Sequence, residues 1–447
     1  MIYLISIIIV LTSYFLFKSV AGSMALNRLN MISVIFYFYL VFVSYIGAVF
    51  IAKGFGSNPV LNNVKHETRL FGWIVVSYVM IAVPIGIRIV RWFFRIKHIE
   101  NIYNKYVFGD IVPLMSKNDS YIKLSLFFLS FLCLLSTFYV IYFVGEIPQI
   151  NFFSFTSQAD ALLERNKINR GFMGIYAIKS VFFEHLTPLL SLISYAYYRM
   201  TNSKKDKYWF YFMLFLTLFM LTFTLAKSPL IGYGIMFMIL RVYIDGFIMW
   251  KRFLFSSLLG LGGIILMFFV VARNADINIV SQMLFNRIFF NQISGTFLML
   301  EIFPELYEHI GFSSISKPIS DIFFGGYSDP ATRLAMKFAF PGASSEGLMN
   351  LLSTLFIGEA WANFGWLGLI ISPVYVGVII GVFYYLILTS RKTPIFLGFL
   401  AYFSFKVNFA SQFNQYIYNS VVFIIIFIFL FSFFYALLLK QLKQLPN

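Results

Sequence analysis

The chain has 447 residues, of which 60% are hydrophobic, 21% aromatic and only 12% charged, an apolar excess that excludes an ordinary soluble domain and that lipid-facing helices require. Its formal net charge of +16, from 34 Lys and Arg against 18 Asp and Glu, points in so apolar a chain to basic membrane loops plus something anionic elsewhere, not to nucleic acid. One cysteine and four histidines exclude an intrachain disulfide and a thiolate cluster, and they leave no pattern for a dedicated metal or cofactor site.

Residues 1–17 are apolar and lack the basic stretch of a cleavable signal peptide, so they read as a first span. Further apolar runs follow near 31–52, 72–90, 124–145, 172–198, 208–225, 229–249, 253–271, 364–389, 394–412 and 420–439. Most suffice for a helix crossing about 30 Å of hydrocarbon. The expectation is an all-α polytopic integral membrane protein, a single transmembrane domain over 1–447 with about eleven transmembrane helices.

Every odd-numbered loop is basic: Lys18 and Arg28, then Arg91 through Lys123, Arg199 through Lys207, Lys251 with Arg252, Arg391 with Lys392, and Lys440 with Lys443 in the tail. By the positive-inside rule the N-terminus lies outside and the C-terminus in the cytoplasm. A smaller loop at 146–171 and a large one at 272–350 then face outward. Their own basic residues run against that bias and call for another explanation. The 91–123 segment reads as an amphipathic surface meeting anionic membrane lipids on the inner leaflet.

In the outer loop before the fifth span Arg165, Lys167 and Arg170 precede a helix beginning near Gly171. Cations at a helix N-terminus suit a phosphate or pyrophosphate, and arginine grips such oxygens in bidentate fashion. The plainer reading is a solvated loop against lipid headgroups. The fifth span holds Lys179, Glu184 and His185, and charges in a membrane normally face a cavity or a partner. On an α-helix Glu184 and His185 point about 100° apart, so both cannot serve one small site. Lys227 occupies a very short outer turn, where it snorkels or reaches inward.

The large outer loop carries Arg273, Arg287, and Arg333 with Lys337, the last two on one helical face. It reads as the roof of a polar site, and residues 341–347 as a flexible, hydroxyl-rich connection. Glu359, in Gly358-Glu359-Ala360-Trp361-Ala362-Asn363-Phe364-Gly365, is a carboxylate at the outer membrane edge that serves as a base or pairs with an arginine. Lys406, Asn408, Gln412, Asn414 and Tyr418 bring amides and aromatics to the last outer turn, as a carbohydrate site does, although interfacial tyrosines are also ordinary anchors. No Walker, His-Glu-x-x-His or Gly-x-Ser-x-Gly pattern occurs.

Arg170-Gly171 opening a span, Lys227-Ser228 in a tight turn, and Gly358-Glu359-Ala360 through Asn363-Phe364-Gly365 before a late span resemble features of the bacterial O-antigen polymerases (Wzy), within the wider oligosaccharide repeat-unit polymerases. The shared layout covers nearly the whole chain. The Arg-x10-Gly spacing of some members is missing: Arg287 meets Gly295, and Arg165 meets Gly171 and Gly174.

The resemblance implies a fold like the GT-C membrane glycosyltransferases in the inner membrane of a bacterial cell. It also implies transfer of a growing glycan from undecaprenyl pyrophosphate to the non-reducing end of a new lipid-linked repeat, on the periplasmic face. Neither a nucleotide sugar nor an obligatory metal is implied, and a chain-length regulator is a partner to look for.

Without a metal, a leaving pyrophosphate needs fixed cations, for which Arg165, Arg170, Lys227, Arg273, Arg287 and Arg333 are the candidates. Glu359 is the first choice of base and His185 the second, and direct attack would invert the anomeric carbon. Asn408, Gln412, Asn414 and Tyr418 are the candidate glycan contacts. Two rivals stay open: an O-antigen ligase with the same donor, and a lipid-linked oligosaccharide flippase or other transporter.

Overall fold

The computed structural model describes residues 1–55, 58–115, 119–151, 168, 171–223, 226, 228–248, 285–345, 351–406, 409 and 412–442. Among them the chain is helical and without strands. In order come α1 (Ile2–Ala21), α2 (Met31–Ala52), α3 (His66–Phe93), α4 (Ile99–Phe108), α5 (Asp119–Val144), α6 (178–201), α7 (Lys204–Phe223) and α8 (Ser228–Asp245). After the stretch outside the described residues follow α9 (Ser294–Ile302), α10 (Lys317–Phe323), α11 (Ala331–Ala339), α12 (Phe356–Thr389), α13 (Pro394–Lys406), α14 (Asn414–Ile417) and α15 (Ser420–Leu442).

Six helical segments among the described residues are long and apolar enough to cross a membrane: Ile2–Arg28, Met31–Ala52, His66–Phe93, Asp119–Val144, Phe356–Thr389 and Asn414–Tyr435. Helices α6, α7, α8 and the shorter α13 coincide with other expected spans, while 253–271 lies outside the described residues.

Two segments depart from α geometry. Ile35–Tyr45 within α2 and Ile178–Leu186 at the start of α6 are π-helical. At each, a hydroxyl binds the carbonyl five residues back: Ser44 Oγ to Tyr39 O at 2.9 Å and Thr187 Oγ1 to Phe182 O at 2.8 Å.

The 34 residues of α12 would make about 51 Å of straight helix, more than the hydrocarbon thickness. Gly365, at φ 57° and ψ −136°, breaks it. A side chain there would also strike His309, whose Nε2 would lie 2.8 Å from a Cβ. The sequence places this span at 364–389. The helix in fact starts eight residues earlier, which puts Glu359 inside it.

α12 packs along α3 at backbone contact. A Cβ on Gly86 would lie 2.2 Å from Val374 O, and one on Gly377 2.2 Å from Val83 O, the small-residue solution to close helix approach in membranes. Gly377→Ile is expected to cost about 3 kcal/mol by overpacking and to lower the thermal midpoint in detergent. An unchanged midpoint would deny the contact. The last carbonyls of α1 are capped from α12, Tyr385 Oη to Val20 O at 2.9 Å and Tyr384 Oη to Ala21 O at 2.6 Å. Buried Lys392, after α12, donates to Val107 O and Gly109 O at 2.7 Å each, closing the end of α4.

The described part of the expected roof, 285–345, is more ordered than a connecting loop. All of α9 except Glu301 is buried. Its Thr296 Oγ1 accepts from Leu355 N at 2.9 Å, Trp361 of α12 donates to Phe303 O at 3.0 Å, and Lys65 pairs with Glu301 at 3.3 Å. Burial opposes ionisation of Glu301, but hydrogen bonds from Thr68 and Lys65 hold its carboxyl below the ordinary range.

Candidate substrate cavity

A cavity of about 1480 Å³ opens between α5, α6, α12, α13 and α15, under the segments at 315–316 and 351–354. Its long lower wall is apolar, built from side chains such as Ile380, Phe399, Ile425 and Phe429. Its other end is polar, with Glu184 and His185 from α6, Lys406 closing α13, and Gln412, Gln415 and Asn419 from the turn before α15. An apolar channel ending in a few convergent polar groups is the usual form of a small-molecule site.

The polar end is built on two helices. Lys179 Nζ, almost wholly buried, lies 3.6 Å from Glu184 Oε1 and donates to Ile168 O at 2.8 Å. Five residues separate Lys179 and Glu184. That spacing would place them about 140° apart on an α-helix, whereas the i→i+5 register of a π-helix brings them together. Glu184 and His185 both line this one large cavity. His185 Nδ1 hydrogen-bonds the Tyr402 hydroxyl at 2.7 Å.

Lys406, one turn beyond Tyr402, lies over that ring with Nζ 5.9 Å from its centroid. It is exposed, and it lines the cavity. Among the described residues no carboxylate lies within 4 Å of it. Two lysines against one glutamate leave this end with a formal charge of +1, an anion-attracting field strengthened by the apolar surroundings.

The sequence-predicted residues distribute unevenly. Arg165, Arg170, Lys227, Arg273 and Asn408 lie outside the described residues. Arg287 is exposed and off the cavity wall, next to Phe285, Phe289 and Phe290, which gather around Phe50 with ring centroids 5.7–6.5 Å apart. Arg333, also off the wall, is already paired. Its Nη1 and Lys337 Nζ each meet Asp329 at 2.8 Å, which corrects its reading as a cation free for pyrophosphate.

Hydrogen bonds from Lys337 and Arg333 hold the Asp329 carboxyl below its ordinary range. Its contribution to this corner is therefore present at neutral pH and lost as pH falls through the acidic range. Asp329→Asn is expected to raise amine-reagent labelling of Lys337 at fixed pH. Equal labelling would contradict the pairing.

Gln412 and Tyr418 line the cavity, and Gln412 Nε2 donates to Thr332 Oγ1 at 2.8 Å. Asn414 is corrected: it is buried behind the wall and hydrogen-bonded there. So is Glu359, expected at the membrane edge with access to substrate or an arginine. It is fully buried, lies off the wall, and accepts from Asn414 N at 3.0 Å. In the sequence Glu184 stands out as a charge inside an apolar span, and Lys406 as a charge where the span at 394–412 approaches the last outer turn. That signal suffices to find them once a cavity is known.

No family model matches this chain, and neither does any curated protein or solved structure.

Proposed function

We propose that this chain is a membrane glycosyltransferase of the surface-polysaccharide polymerase type, acting on polyprenyl-pyrophosphate-linked oligosaccharides. The observation that carries the reading is the cavity itself, whose apolar length suits a polyprenyl chain and whose polar end suits a pyrophosphate and sugars. In this reading Lys406 contacts the pyrophosphate and offsets the charge that grows on it as the glycosidic bond breaks. Glu184, held by Lys179, takes the proton of the acceptor hydroxyl, with His185 and Tyr402 orienting the acceptor beside it. Attack on the face opposite the leaving group inverts the anomeric carbon. Gln412, Gln415 and Tyr418 contact the glycan.

The accompanying topology has about eleven spans and a GT-C-like arrangement in the bacterial inner membrane. The N-terminus is outside, the C-terminus is in the cytoplasm, and 146–171 and 272–350 lie on the periplasmic face. A chain-length regulator is a partner of that reading.

Reconstitution with a lipid-pyrophosphate-linked repeat, without nucleotide, tests it. The expected product is a ladder of whole repeats. A product seen only when a lipid A core acceptor is added would identify a ligase instead. One feature favours a flippase as second reading: the lining continues from Leu114 and Ile395 near one end of the bundle to Gln412 near the other. Movement of intact substrate between leaflets with no ladder would select it.

A further inference from the structure

Behind the cavity's polar end lies a buried cluster that the proposed reaction does not use. Glu359 and Asn363 stand one turn apart on α12, both with 1% exposure or less. Both converge on Asn414: Glu359 Oε2 accepts from Asn414 N at 3.0 Å, and Asn363 Nδ2 donates to Asn414 Oδ1 at 2.9 Å. Asn414 Nδ2 in turn donates to Ser314 O and Ser314 Oγ, at 3.0 Å each. The break at Gly365 adds to the joint, since Ile310 N and Gly311 N donate to the carbonyls of Ala362 and Asn363 at 3.1 and 2.9 Å. α12, the 309–316 segment and the turn before α15 are thus fastened at one point. Ile315 and Ser316 on one side, and Gln412 and Gln415 on the other, line the cavity.

The amide orientations follow from the chemistry. Ser314 O is a carbonyl and only accepts, so Asn414 must present its NH2 to it. Asn414 Oδ1 then faces Asn363, which must answer with its own NH2. Asn363 Oδ1 is therefore left over, and it has no hydrogen-bond partner among the described residues, nor has Glu359 Oε1. The Phe413 N–H stands beside the same carboxyl group, and Tyr327 is a titratable side chain within its field. No described basic side chain lies within 4 Å of it. Two buried acceptors without a donor, on one face of one helix, are costly, and a buried carboxylate without a cation is costlier. One proton relieves all three: a carboxylic acid gains an O–H donor and loses its charge.

We infer that Glu359 is a neutral carboxylic acid whose Oε1 hydroxyl donates to Asn363 Oδ1, and that it is a positioning residue for the roof of the cavity rather than a base. The inference stands whether the cavity serves a polymerase, a ligase or a flippase.

Infrared spectroscopy of the purified full-length protein, with thermal midpoints in the same detergent, tests it without any substrate. The wild type is expected to show the carbonyl stretch of a protonated carboxylic acid, absent from E359Q and shifted in frequency in N363A. Gln reproduces the acid's donor and acceptor, so E359Q is expected to keep a near wild-type midpoint while E359A and E359D lose stability. Any of three results would overturn the inference. The first is a spectrum without the acid band, as a water- or cation-bridged carboxylate gives. The second is a band unmoved in N363A. The third is an E359Q protein as destabilised as E359A. Should E359Q fail to fold, that too counts against it, and the N363A shift is still read against the wild type.

Discussion

Lys406→Met is expected to lower the rate of repeat-unit transfer about 100- to 1,000-fold while leaving a folded protein. The side chain ends α13, exposes its charge to the cavity, and has no carboxylate within 4 Å among the described residues. Its removal breaks no described ion pair; it withdraws a positive charge from the ligand and from the field of Glu184. A departing pyrophosphate gains charge in the transition state, so a cation fixed in an apolar wall helps there more than in the ground state. The expected signature is a fall in kcat larger than any rise in KM. Lys406→Arg keeps the charge on a differently shaped head and is expected to retain part of the rate. Ladder formation by Lys406→Met at the wild-type rate would remove the residue from the site.

Lys179→Met is expected to destabilise the protein by about 3 kcal/mol, the lower end of the range for breaking a buried ion pair. The lysine is 1% exposed and Glu184 is 26% exposed, so the orphaned carboxylate is only partly rewetted through the cavity. Lys179→Met combined with Glu184→Gln removes both charges and is expected to recover much of the loss. A double variant as unstable as the sum of the two single variants would show that the residues do not interact. The double variant is nevertheless expected to be inactive in transfer, because it lacks the carboxylate assigned to the acceptor hydroxyl.

Much of this was legible in the sequence, for identifiable reasons. Apolar runs bounded by charge marked the helices, since lipid tolerates few charges along a span. Lys179, Glu184 and Lys406 stood out by the same rule. What stayed hidden depends on contacts far apart in the chain or on helix register. The Lys179–Glu184 pair looks wrong at α spacing and forms only because the segment is π-helical. Glu359 looked accessible because its helix was expected to start after it. Its burial depends on Asn414, 55 residues away, and on the link from Asn414 to Ser314, 100 residues back.

In the proposed function the cavity holds a lipid-linked pyrophosphate with its chain along the apolar wall and its headgroup at Lys406. A polyprenyl pyrophosphate carrying a photoreactive group near the pyrophosphate, cross-linked in vesicles and mapped by mass spectrometry, addresses it directly. Adducts are expected on α13 and on the turn before α15, around Tyr402 and Tyr418, which unlabelled lipid-linked repeat competes away and which Lys406→Met weakens. Competed adducts confined to residues outside the cavity, with none on its walls, would contradict it.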